Sequence, residues 1–293
     1  MIKRAVLSYF NAEESFDNKA GFNKFSDFLY TTALSVICAS RQFEEVQVIS
    51  SSWGVDLFKE FNLPVTEYST KLNSMKGISR FFWAYGKLIA YCEQKKPFVH
   101  LDNDVFLWAP LPDRILKAKL CFQSLEPFDA PGYGYFDKLK PCFEVAPVRP
   151  QAIVDNPVDD FAYNCGICGG NDLKLFKEWK RCSEEYIFAK ENQVTFFKDF
   201  ADMLIHQNLF HEQYFIASLI KRDGLRDKVE ILHDDAMKIN DAHPANKPAY
   251  THLWGTTKRD VGKMSQVRMT VFYHERGIFE KIDAFCKKNN LPL

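Results

Sequence analysis

Phe98-Val-His-Leu-Asp102-Asn-Asp104-Val-Phe-Leu107 is the stretch whose reading decides the fold. An apolar run meets two acidic residues one position apart, and apolar residues resume at once. A short run bounded in this way reads as a buried strand over residues 98–101. In open α/β sheets, ligands bind outside the carboxyl ends of the strands. Two carboxylates placed there repel each other unless a cation joins them. Hard divalent cations such as Mg²⁺ and Mn²⁺ take oxygen ligands and commonly share them with phosphates. Asp102 and Asp104 are therefore candidate metal ligands. A solvated turn, where Asp and Asn are common, is the competing reading. The place directly behind a buried strand favours the metal.

Moving outward, strands and helices alternate. Residues 5–9 (AVLSY) and 46–49 (VQVI) read as buried strands. Residues 25–39 carry apolar side chains at helical spacing, as do residues 79–93 (SRFFWAYGKLIAYCE). Residues 53–61 read as a short helix ended by Asn62 and Pro64. Alternation of this kind indicates parallel βαβ units and an open sheet covered on both faces. The second half is less regular. Residues 127–150, rich in Pro, Gly and aromatics, read as loop, and residues 161–170 (FAYNCGICGG) as one strand. Residues 173–185, 212–221 and 279–288 read as helices and 229–232 as a strand. With no repeat or linker, a single domain over 1–293 is expected.

Composition narrows the class. The 293 residues hold 38 Lys+Arg and 38 Asp+Glu, so no net charge draws the chain toward nucleic acid or anionic membrane. The apolar run at the N-terminus is too short for a signal peptide's core. No stretch is apolar for long enough to span a bilayer. The default expectation is a cytoplasmic protein, with room left for peripheral membrane association. In that compartment the eight cysteines are most simply reduced thiols.

VHLDNDVFL resembles the DxD segment of GT-A glycosyltransferases, whose first half is Rossmann-like. Downstream, His252-Leu-Trp-Gly255-Thr-Thr-Lys258 is similar to the HxxGxxK motif of the retaining glycogenin and lipopolysaccharide galactosyltransferase-like enzymes. There the His is a third metal ligand and the Lys contacts a diphosphate. The chemistry agrees with those roles: an imidazole completes a carboxylate-rich site, Gly allows close backbone approach, and Lys supplies compact charge to a departing phosphate. The family's usual proline and tryptophan are replaced by Arg259 and Asp260. Either residue alone reads more simply as ordinary polar surface; the ordered set favours the site.

Two further segments carry the resemblance. Tyr163-Asn164-Cys165-Gly166-Ile167-Cys168-Gly169-Gly170 resembles the Asn-x-Gly segment that lies beside the donor sugar. Glycine there leaves room for a ring, and Asn164 offers both a donor and an acceptor. Its Cys165-x-x-Cys168 pair, with His206 or His211, is the competing metal reading. On one strand those cysteines would point to opposite faces, which argues against chelation. His211-Glu212-Gln213-Tyr214-Phe215 resembles the acidic-Gln element near the reacting sugar carbon, so Glu212 and Gln213 are the catalytic candidates. An acid near a helix N-terminus is equally at home there without function.

The resemblance also implies donor contacts from Ser8 and Tyr9 at the end of the first strand, from Asn103 and Lys87 (with Arg80 as competitor), and from Asn164, Gly166, Gly255 and Lys258. It implies an α/β, GT-A (Rossmann-like) fold with a mixed, mainly parallel sheet flanked by helices. Residues 1–108 would form the nucleotide-binding half and 109–293 the acceptor and donor-sugar half. The expected activity is metal-dependent, retaining transfer from a nucleotide sugar, UDP-linked by resemblance, to a glycan or small-molecule acceptor. Asp102, Asp104 and His252 would hold Mn²⁺ or Mg²⁺. The rivals are a sugar nucleotidyltransferase, a non-catalytic nucleotide-sugar-binding module, and a metal-free interaction protein. The first lacks its usual Gly-rich basic loop here, since SYFNAEESFDNKAG follows the first strand.

Overall fold

Among the described residues the strands run in chain order: β1 (Arg4–Tyr9), β2 (Glu45–Ser50), β3 (Glu67–Ser69), β4 (Phe98–Leu101), β5 (Val105–Leu107), β6 (Leu120–Pro127), β7 (Phe161–Tyr163), β8 (Ile167–Gly170), β9 (Val229–His233) and β10 (Tyr250–His252). They belong to a computed structural model that describes residues 1–128, 135–233, 249–253 and 255–293. The chain is mixed α/β, with mainly parallel sheet pairing and helices flanking the strands. Its residues fall into two compact units built from interleaved segments.

One unit comprises residues 3–76, 100–111 and 244–293. Here β1, β2 and β3 pair in parallel, with Ala5 opposite Val46 and Val48 opposite Tyr68. The apolar run of β1 places Ala5, Val6 and Leu7 wholly out of water, as a strand covered on both faces requires. At its start the Arg4 guanidinium meets Glu45 at 2.5 Å and Glu67 at 3.0 Å, joining the three strands by charge. The Phe25–Ser40 helix is buried along almost its whole length. Against it pack the Val261–His274 and Arg276–Lys288 helices. The short β5 pairs antiparallel with β10, His252 lying opposite Val105.

The other unit comprises residues 1–2, 77–99 and 112–243. β6 pairs antiparallel with β7 and β8 and parallel with β9. The Tyr85–Glu93 and Leu173–Ile187 helices pack together around Tyr91, Phe176 and Trp179. Gly169 lies so close to the chain at Phe98 that a Cβ there would stand 2.1 Å from the Phe98 carbonyl oxygen.

Several local expectations give way. Residues 161–170 are two strands, because the chain turns at Asn164–Gly166: Asn164 Oδ1 accepts from the Gly166 N–H at 2.9 Å. Cys165 sits in that turn, so its thiol comes within hydrogen-bonding reach of Cys168 instead of facing away from it. Residues 79–93 split into a 3₁₀ turn (Arg80–Phe82) and the Tyr85–Glu93 helix. The expected loop over 127–150 contains the Tyr135–Glu144 helix; its residues 129–134, like Trp254, lie outside the described residues. The segment around Glu212 opens with a π-turn, Phe210–Tyr214, before the α-helix Phe215–Arg222. No helix among the described residues is long and apolar enough to cross a membrane.

Candidate metal and diphosphate site

The turn that follows β4 is held from two sides. Ser35 of the buried Phe25–Ser40 helix donates its hydroxyl to the Val105 carbonyl at 2.7 Å. Asn103 Nδ2 donates to the Ser8 carbonyl at 2.9 Å, tying the turn to the end of β1. Asp102 and Asp104 project on either side of this anchored residue. Asp104 is buried, and Asp102 is partly exposed. Pairing of β10 with β5 then brings His252 alongside, and the Leu253 N–H donates to the Asp104 carbonyl at 3.0 Å. His252 Nε2 lies 3.5 Å from Asp104 Oδ1.

A turn over Gly255–Arg259 follows. Gly255 has φ +56° with open space around it, a left-handed conformation that costs any residue with a Cβ about 1–2 kcal/mol. This reversal carries Lys258 back, its Nζ 2.8 Å from Asp104 Oδ2. The stem of Lys258 runs past Gly21, and its ammonium lies 5.4 Å from the centroid of Phe22. Burial on its own would raise the Asp104 pKa. The Lys258 ammonium and the His252 imidazole outweigh it and hold the carboxyl well below the usual carboxylate range.

One ligand atom from each of Asp102, Asp104 and His252 lies within 4.8 Å of the other two. Two carboxylates and an imidazole gathered this closely are a donor set that suits a divalent cation. His100, in the strand itself, was not singled out from the sequence. Its Nε2 meets Ser8 Oγ at 2.9 Å and its Nδ1 stands 3.9 Å from Asp102 Oδ1. A histidine inside an otherwise apolar buried run was the signal for it. Ser8 is therefore engaged by His100. Tyr9 is buried, its ring against Phe28 and Phe58 and its hydroxyl accepting from Asn11.

The second cluster lies in the other unit. Lys87 Nζ stands 2.8 Å from Glu212 Oε1, and both side chains are buried. Arg80, the competing base, lies over the Phe81 ring. Glu212 and Gln213 sit on the π-turn, which leaves the His211 carbonyl free to accept from Trp179 Nε1 at 2.8 Å and Ser183 Oγ at 3.1 Å. π-turns inside helices are frequent at functional sites. Gln213 is buried, and its Oε1 has no hydrogen-bond partner among the described residues. Such a group calls for an explanation, and a ligand is one. Asn164 is also buried: its Nδ2 donates to Glu126 Oε1 at 2.6 Å while its Oδ1 holds the Gly166 N–H. Glu126, a buried acid at the end of β6, was missed because a single glutamate in an apolar strand carries no pattern.

The fold and the first cluster together define an α/β protein with a two-carboxylate, one-imidazole centre backed by a lysine. The chain belongs to a family of unknown function, DUF6734, whose sequence profile spans residues 4–285. No curated protein matches it by sequence. Among solved structures it is similar to the glycosyltransferase GlyE of Streptococcus pneumoniae TIGR4, at 12% identity and TM-score 0.45, covering 100% of this chain and 65% of that one. This chain therefore spans less than two thirds of the length of GlyE. It is similar too to the galactosyltransferase LgtC, crystallised with donor and acceptor sugar analogs, at 15% identity and TM-score 0.40, covering 90% and 94%. Mouse xyloside xylosyltransferase 1 gives 12% identity and TM-score 0.37, covering 79% and 85%.

Proposed function

We propose that this protein is a metal-dependent glycosyltransferase of the GT-A type that uses a nucleotide sugar, a UDP-sugar in the first instance. One observation carries the reading: Asp102, Asp104 and His252 offer ligand atoms within 4.8 Å of one another, beside a lysine 2.8 Å from Asp104. Asp102, Asp104 and His252 would hold Mn²⁺ or Mg²⁺, which supplies charge neutralisation to a diphosphate. Lys258 would share that diphosphate, a role supported by its ammonium lying 2.8 Å from Asp104. Ser8, Tyr9 and Asn103 shape the end of β1, where the nucleotide would rest. Gly255 sets the turn that brings Lys258 into place.

Glu212 and Gln213 are assigned to the sugar. Gln213 has an amide oxygen to offer a hydroxyl. The Glu212 carboxylate, 2.8 Å from Lys87 Nζ, can stabilise positive charge at a reacting sugar carbon. Asn164 and Gly166 form the small-residue turn on the same reading, and retention of configuration is part of it. Residues 1–108 and 109–293 are proposed as the nucleotide and sugar halves.

The test is a thermal-shift screen of UDP-, GDP- and other nucleotide sugars with and without Mn²⁺. A ligand that binds the native state alone raises its melting temperature. A rise requiring both a nucleotide sugar and the metal, followed by release of nucleoside diphosphate, is expected. Metal and nucleotide sugars that leave the melting temperature unmoved would refute it.

A further inference from the structure

Trp83 stands at the outer end of a buried charge pair. It lies two residues before the Tyr85–Glu93 helix, and Lys87 follows it four residues on. The Lys87 ammonium lies 5.3 Å from the Trp83 ring centroid and 2.8 Å from Glu212 Oε1. Trp83 keeps 40% of its surface exposed, whereas the Lys87 and Glu212 side chains keep 9% and 2%. Indole, ammonium and carboxylate thus form a series running from solvent to interior. Gln213, next to Glu212, adds a buried amide oxygen without a hydrogen-bond partner among the described residues.

Tryptophan joins a large apolar ring to a polar tip and suits a half-exposed binding wall; Trp83 differs from the other exposed aromatics in standing beside a buried charge pair. A cation–π contact with Lys87 orients the indole but occupies one face only. A small-molecule site commonly joins an apolar aromatic wall to a few placed polar groups. A pyranose ring matches that pairing: one face is a patch of C–H bonds and the rim is hydroxyls. We propose that the free face of Trp83 is the stacking platform for the pyranose ring of the acceptor. The hydroxyls of that ring would turn toward the Lys87 ammonium. The acceptor is preferred to the donor sugar because the indole is the solvent-facing member of the series. The assignment rests on the proposed transferase reading.

The experiment is saturation-transfer NMR on the full chain, using methyl β-glucopyranoside, methyl β-galactopyranoside and methyl α-mannopyranoside as probes. The wild-type protein is expected to saturate the C–H protons of at least one pyranoside. Trp83→Ala should weaken that binding at least tenfold, and Trp83→Phe, which keeps an aromatic face, by no more than about threefold. Thermal melting of both variants checks that they fold. Equal binding by Trp83→Ala, or silence of all three probes with wild-type protein, overturns the platform. Adding a UDP-sugar with Mn²⁺ separates the two sugars. Persistence of the pyranoside signal supports the acceptor, and displacement overturns that assignment. Nucleoside diphosphate release is measured alongside. Pyranoside binding without turnover sinks the transferase reading and spares the platform; turnover with Trp83→Ala binding pyranosides normally does the reverse.

Discussion

Lys258 Nζ stands 2.8 Å from Asp104 Oδ2 while His252 Nε2 stands 3.5 Å from Oδ1 of the same carboxylate. One buried aspartate is thus the meeting point of the three positions that the sequence motifs single out. Replacing Asp104 with Ala removes a ligand and also leaves Lys258 without this partner. Mn²⁺-dependent thermal stabilisation and metal-dependent release of nucleoside diphosphate are both expected to vanish. Because the Lys258 side chain keeps about a quarter of its surface in water, it can solvate itself, and the metal-free protein should remain folded. Metal-dependent turnover surviving in Asp104→Ala would be decisive against the site.

The Lys87–Glu212 pair should behave differently, since both side chains are buried. Removing one member of a buried ion pair typically costs about 3–5 kcal/mol. Lys87→Met is therefore expected to destabilise strongly, and Lys87→Met with Glu212→Gln to recover much of the loss. Urea unfolding of the three proteins measures this. A double variant no more stable than Lys87→Met would show that the pair is not the source of the cost.

How far these places could be foreseen depends on whether local chemistry or distant pairing sets them. The buried strand before Asp102 was legible because four apolar or buried residues in a row leave few alternatives. The position of His252 beside Asp104 depends on β10 pairing with β5, which no local pattern announces. The break between β7 and β8 was missed because it is made by one side-chain bond, from Gly166 to Asn164. The π-turn at Phe210–Tyr214 reads as ordinary helix in sequence, since its signature is where the His211 carbonyl points. Proline and glycine made residues 127–150 look like loop, yet Pro141 is accommodated inside a helix.

Gly169 offers a stability test of the core packing. A Cβ at this position would stand 2.1 Å from the Phe98 carbonyl oxygen and 2.8 Å from the Val99 Cα. Backbone cannot yield as a side-chain tip can, so the neighbouring strand must shift. Gly169→Ala is expected to cost about 3 kcal/mol or more, at the upper end for an overpacked core. Differential scanning calorimetry reads this directly. An unchanged melting temperature would mean that the close approach is absent in solution.

His211 carries the pH test. Burial pushes its pKa down to about 3, and neither ring nitrogen has a hydrogen-bond partner among the described residues. In the unfolded chain a histidine takes up a proton near pH 6.5. The unfolded state therefore binds the extra proton first as pH falls. The stability this group contributes is complete above about pH 6.5 and is lost progressively toward pH 3. The slope reaches about 1.4 kcal/mol per pH unit for one proton. Comparison of wild type with a variant at this one position isolates His211. His211→Phe or His211→Leu should show a flatter fall in unfolding free energy between pH 6.5 and 4.5, by up to that slope. Denaturant titrations at half-unit steps resolve the difference. Parallel profiles would mean that His211 gains a proton in the folded protein, and that its ring meets water or an acceptor.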